Sequence, residues 1–80
     1  MKIYHLIDTA SMPGDIVIYS STDREFIEEC AMDYFNECVY EEFLWYTELG
    51  KEPIPAIQEA YWAIEEYFNM YISIEESELC

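Results

Sequence analysis

The sequence predicts a single α+β domain spanning residues 1–80. Its elements run ββααβ, with two helices on one face of a three-stranded, mainly antiparallel sheet. Three observations predict it. Two short β-prone runs, Ile3–Ile7 and Ile16–Tyr19, flank a loop with a Pro13-Gly14 turn. Two later stretches repeat apolar residues at separations of four, three and four: Ile27, Ala31, Tyr34, Cys38, and then Ile57, Tyr61, Ile64, Phe68. A final stretch, Met70–Glu75, alternates, with Met70, Ile72 and Ile74 on one side.

Taken in order, the first two runs form a hairpin across the loop Asp8–Asp15, which is longer than the favoured two residues. Thr22-Asp23-Arg24-Glu25 reads as a capping box, Thr22 accepting from the Glu25 amide and the Glu25 side chain reaching back. Asp23 adds negative charge where the helix dipole favours it. The first helix buries Ile27, Ala31, Tyr34 and Cys38. Its periodicity fails at Phe43-Leu44-Trp45-Tyr46. The helix either continues to Leu49, with Gly50 as its stop, or breaks near residue 43. A straight helix over residues 23–49 would be about 40 Å long, roughly twice the expected sheet, which keeps a kink or break open as the alternative. Lys51–Pro55 is a stiff connector, and Pro55 suits the first turn of a second helix. Asn69 is the expected end of that helix. Met70–Glu75 is the third strand, placed beside the first, and Glu75–Glu78 is a solvated tail.

The charge is one-signed. The chain carries 18 acidic residues against three basic ones, Lys2, Arg24 and Lys51, for a net charge of −15. Such a field repels nucleic acid and anionic membrane and attracts basic protein surfaces with fast, salt-sensitive association. Its densest feature is a ladder at strict four-residue spacing, Glu25, Glu29, Asp33, Glu37 and Glu41. Like charges at i,i+4 repel by roughly 0.2–0.5 kcal/mol per pair, so the ladder costs the helix stability. Successive rungs lie about 6 Å apart on a helix, a separation of the order of that between phosphates along one nucleic-acid strand. The ladder therefore suits Lys and Arg sites built for a phosphate backbone. The 52% apolar fraction is too high for a disordered acidic tail and leaves aromatics over for a binding surface.

Other chemistry is poorly supplied. His5 is the only histidine, so nucleophile–base arrangements all depend on it, and a structural role is the expectation. There is no Cys-x-x-Cys, histidine pair, EF-hand loop or phosphate-binding glycine loop, and no metal or cofactor is implied. Cys30 and Cys38, eight residues apart on one helix, are about 12 Å apart and cannot form a disulfide. They read as core fillers, and with Cys80 they indicate a reduced, cytoplasmic chain. No apolar run is long enough for a signal peptide or a membrane span.

At the C-terminal end, Glu65-Glu66-Tyr67-Phe68-Asn69-Met70, running into Ile72-Ser73-Ile74 and Ser77-Glu78-Leu79, resembles the end of a small acidic phage anti-CRISPR family. That family inhibits the single-effector RNA-guided DNA nuclease. Ile16-Val17-Ile18 followed by Ser20-Ser21-Thr22-Asp23 and a helix is similar in order, whereas Val39–Ala60 has no counterpart. The resemblance implies an inhibitor that covers the site where arginines read guanines beside the target. Its matching acidic and polar positions are Glu65, Glu66 and Asn69.

The expectation is thus a non-enzymatic phage-type inhibitor that blocks a basic DNA-binding surface, above all that of a CRISPR nuclease, by imitating DNA. It does not bind nucleic acid directly and is either monomer or homodimer. The expected contacts are Glu25, Glu28, Glu29, Asp33, Glu37 and Glu41, anchors among Tyr40, Phe43, Trp45 and Tyr46, and Glu65, Glu66 and Asn69. The alternative is an adaptor that self-associates or binds a host regulator through the aromatic patch.

Overall fold

The computed structural model describes residues 1–10 and 14–78. Part of the expected Pro13-Gly14 turn and the positions Leu79 and Cys80 lie outside them. The elements are β1 (Lys2–Asp8), β2 (Ile16–Ser21), α1 (Arg24–Glu48), α2 (Pro53–Tyr71) and β3 (Ile72–Glu78). The ββααβ order and the three-stranded antiparallel sheet are as expected. The strand order is β2-β1-β3, so the last strand does lie beside the first. One residue is bulged where β1 passes β2 near Leu6 and Ile7.

The side of the sheet carrying Tyr4, Leu6, Asp8 and Ile74 meets the helices. Leu6 from β1 and Ile27 from α1 are both fully buried, and the Arg24 guanidinium sits 5.9 Å from the centre of the Tyr4 ring. On the opposite side His5 spans the sheet. Its Nδ1 lies 2.7 Å from Ser20 Oγ on β2 and its Nε2 3.0 Å from Ser77 Oγ on β3. Both ring nitrogens thus have partners that tie the two edge strands to β1.

Several boundaries differ from expectation, each for a physical reason. The N-cap of α1 is Asp23 rather than Thr22. The Asp23 carboxylate accepts from the amides of Glu25 (3.0 Å) and Phe26 (3.4 Å), and Ser21 Oγ holds the Asp23 amide at 3.0 Å. A carboxylate at this place satisfies two orphan donors and faces the positive end of the dipole, which a threonine hydroxyl does less well. At the other end the first of the two expected alternatives holds, and α1 does not break at Phe43. It runs unbroken to Glu48, and Gly50 with φ +93° turns the chain. Gly50 is the one described residue whose positive φ calls for glycine.

An α1 of 25 residues is about 37 Å long, while seven-residue strands reach only about 23 Å. The excess is absorbed by overhang, not by a kink. The C-terminal half of α1 and the N-terminal half of α2 project past the sheet as an antiparallel hairpin. The molecule accordingly measures 52 × 28 × 16 Å, with a radius of gyration of 14.9 Å. A compact chain of this length would have about 12 Å.

The helix–helix seam also departs from the predicted stripes. On α2 the buried residues are Ala56 and Ala60, not Ile57 and Tyr61, which are exposed. The buried line sits one residue earlier, a rotation of about 100°. Small side chains at the seam let the helices approach closely, and Ile64 and Phe68 are half-buried beside it. On α1 the missed core residue is Val39, since the buried side turns from the sheet at Ile27 toward α2 further along.

Helix α2 runs to Tyr71 rather than ending at Asn69, and β3 follows with no loop. Thr9 secures this junction, donating both its amide (2.9 Å) and its hydroxyl (3.0 Å) to the Tyr71 carbonyl. Met70 is consequently helical and exposed. Residues 75–78 are strand rather than tail. They pair along β1 as far as Lys2 opposite Glu78, where the N-terminal amine and Lys2 meet Glu78 and Glu76.

Candidate functional site

A residue step of four turns an ideal helix 40° past a full turn, so the acid ladder winds by about 160° from Glu25 to Glu41. It does not form a flat acidic face. Measured from the buried Ile27, the middle rungs Glu29, Asp33 and Glu37 lie about 200°, 240° and 280° round the axis, on the side turned away from α2 and the sheet. Phe26, Tyr40 and Leu44 fall within the same arc, and all six are exposed. The result is a seam, Phe26-Glu29-Asp33-Glu37-Tyr40-Leu44, with three acids bracketed by apolar and aromatic side chains. Phe26 and Leu44 are absent from the expected contacts. Their separations from the ladder, three residues at each end, are the signal that could have placed them there.

The remaining expected contacts do not gather on this seam. Glu25 flanks the N-cap at the start of the helix. Glu28 lies about 100° from Glu29 and receives the Arg24 Nε at 3.3 Å, which partly neutralises it. Glu41 has wound round toward the sheet. Phe43 and Tyr46 are half-buried, whereas Trp45 stands out with its ring 5.5 Å from that of Tyr46. The four candidate anchors Tyr40, Phe43, Trp45 and Tyr46 therefore point to different sides of α1. Glu65, Glu66 and Asn69 are exposed on α2, on the other member of the hairpin.

The cations of the chain are engaged elsewhere. Lys2 pairs with Glu76, Arg24 with Glu28 and Lys51 with Glu59, while Lys51 Nζ also sits 5.2 Å from the centre of the Tyr46 ring. These exposed pairs are worth little stability, at about 0–1 kcal/mol each. Their consequence is electrostatic: no basic side chain sits on the seam.

A separate cleft of about 260 Å³ opens between the helices where they leave the sheet, lined by Tyr34, Cys38, Glu41, Glu42, Ile64 and Tyr67. Below it the Tyr67 hydroxyl donates to Asp8 Oδ2 at 2.7 Å, and the Ala10 amide donates to Oδ1 at 2.8 Å. Burial pushes the Tyr67 hydroxyl far above the ordinary phenol range, and the bond to Asp8 adds to the shift. Burial likewise raises Tyr34 and Cys38, with nearby acids adding to each; the hydrogen bond between the two opposes the rise only at Cys38. A thiol and phenols held in their protonated forms make poor nucleophiles and poor bases. Among the described residues, no three His, Cys, Asp or Glu side chains come together in a way that could hold a metal ion. Nor is any described helix long and apolar enough to cross a membrane.

No protein-family model matches the chain, and no curated protein or solved structure is significantly similar to it.

Proposed function

We propose that this chain is a non-enzymatic inhibitor that occupies the basic, DNA-binding surface of a nucleic-acid-handling protein. The observation that carries the reading is the outward seam of α1. Glu29, Asp33 and Glu37 follow one another at helical spacing, no cation neighbours them, and Phe26, Tyr40 and Leu44 supply apolar contact at both ends. Acids in this arrangement replace phosphates in a row of Lys and Arg sites, and exposed apolar side chains hold the complex once it is steered into place. The winding of the ladder narrows the contact to these middle rungs.

The resemblance of Glu65–Met70, Ile72–Ile74 and Ser77–Leu79 to an anti-CRISPR family makes the single-effector RNA-guided nuclease the leading target, acting in the cytoplasm of a phage-infected cell. In that reading Glu65, Glu66 and Asn69 form a second contact region on α2. The test is a DNA-binding and cleavage assay of that nuclease with wild-type chain and with a variant combining Glu29→Lys, Asp33→Lys and Glu37→Lys. Inhibition by the wild type and its loss in the folded variant is the expected result. Undiminished inhibition by the variant removes the seam from the mechanism, and no inhibition by the wild type removes this nuclease as the target.

A further inference from the structure

We infer that the side of the α1–α2 hairpin facing away from the sheet is a self-association surface, on which a second copy of this chain packs. The chain exposes 5897 Å². A compact monomer of its 9.6 kDa mass exposes about 5,100 Å². The excess of roughly 800 Å² is about what one partner contributes to a standard stable interface. Exposed apolar side chains of the hairpin contribute to this surface. Phe35 of α1 stacks edge-on against Tyr61 of α2 at 5.3 Å and against Phe68 at 5.0 Å, joining the two helices. Helical spacing puts Met32 and Phe43 of α1 and Ile54 and Ile57 of α2 on the same side as this contact. Met32 is 68% exposed, Ile54 70%, Ile57 41% and Tyr61 53%.

Charge selects the occupant. In a chain of net charge −15, helical spacing puts only uncharged residues of the two helices on this side near the hairpin tip; the acids begin again at Glu29 and Glu65, toward the sheet. A basic partner finds no counter-charge there, whereas a neutral apolar face is complementary to itself under a two-fold axis. Two such hairpins laid face to face make a four-helix bundle with a continuous apolar interior. The outward seam of α1 stays free on each copy. The two surfaces also respond oppositely to salt. Screening weakens the attraction of the seam for a basic partner, but it relieves the mutual repulsion of two acidic chains and tightens the dimer.

Sedimentation equilibrium over a series of protein concentrations, at low and high salt, tests the assignment. The expected result is a species of twice the 9.6 kDa chain mass whose population rises with concentration and with salt. Ile57→Asp and, separately, Ile54→Asp abolish it, while Trp45→Ser, on another side of α1, leaves it intact. Circular dichroism establishes that each variant is folded; Ile54 is the more exposed of the two and carries the test should Ile57→Asp unfold. A wild type that stays monomeric at every concentration overturns the inference. So does a dimer that survives Ile54→Asp, or one lost on Trp45→Ser instead.

Discussion

The Tyr67 hydroxyl donates a 2.7 Å hydrogen bond to Asp8 Oδ2, joining the C-terminal part of α2 to the end of the central strand across 59 residues of sequence. Asp8 is the one buried charged residue among those described, and its other oxygen is held by the Ala10 amide. Tyr67→Phe leaves that carboxylate short of a donor and is expected to cost about 1–3 kcal/mol near neutral pH. The pH dependence has a definite sign. The folded protein holds the Tyr67 proton more tightly than the unfolded chain, whose phenol titrates near 10.0. The stabilisation is therefore complete below that pH and is lost as the pH rises beyond it. Cys38 and Tyr34 act in the same direction. Chemical denaturation from pH 8 to 12 is expected to show the wild type losing stability steeply on the alkaline side and Tyr67→Phe losing less. Parallel curves would mean that the hydroxyl is not the group responsible.

The cap of α1 separates two neighbouring residues. Asp23→Ala removes the acceptor of two amides and is expected to destabilise the domain by about 0.5–2 kcal/mol. Thr22→Ala is expected to change stability by only a few tenths of a kcal/mol, since Thr22 is exposed and makes no cap bond. Thermal melts of the two variants give the comparison, and equal losses would restore Thr22 as a cap.

Asp33→Lys should uncouple stability from binding. It converts two repelling i,i+4 pairs, with Glu29 and Glu37, into attracting ones, and stability is expected to rise by roughly 1–2 kcal/mol. Affinity for a basic partner is expected to fall at least tenfold in the same variant. A residue that serves the fold alone would not move the two quantities in opposite directions. Raising salt should narrow both differences.

Gly50 holds φ +93° at the tip of the hairpin, with open space where a Cβ would stand. Gly50→Ala therefore meets no clash, and its cost is conformational, about 1 kcal/mol. A denaturation midpoint unchanged by the substitution would show that the tip adopts another conformation without loss.

Much of the fold is legible in the chain because its signals are local. The β-branching of Ile16-Val17-Ile18 and the four-three-four repeats specify strand and helix without reference to anything distant. What was not legible depends on tertiary packing. Ala56 and Ala60 attract no attention on a hydrophobicity count, yet they form the α2 seam because close approach of two helices rewards small side chains. The choice between an unbroken α1 and a break near residue 43 stays open in the sequence for a related reason: a helix need not match its sheet if a second helix runs beside its free end. At the candidate site the acids were evident from spacing alone. Their division into a central seam and two ends turned elsewhere followed only once the buried direction of α1 was known. Phe26 and Leu44 do not stand out in the sequence, because an isolated exposed apolar residue on a helix is ordinary.

The position of β3 has a consequence for the birth of the molecule. The central strand β1 precedes both of its neighbours in the chain, and one of them, β3, follows only after both helices. Until residues 72–78 are available, β1 has only β2 beside it, and a two-stranded hairpin is marginal in water. The helices can form early, but their sheet-facing side has no complete platform to dock on. Closure of the long loop from β1 to β3 is thus the slow, entropically costly event, and the domain folds as a whole once β3 is available rather than piece by piece.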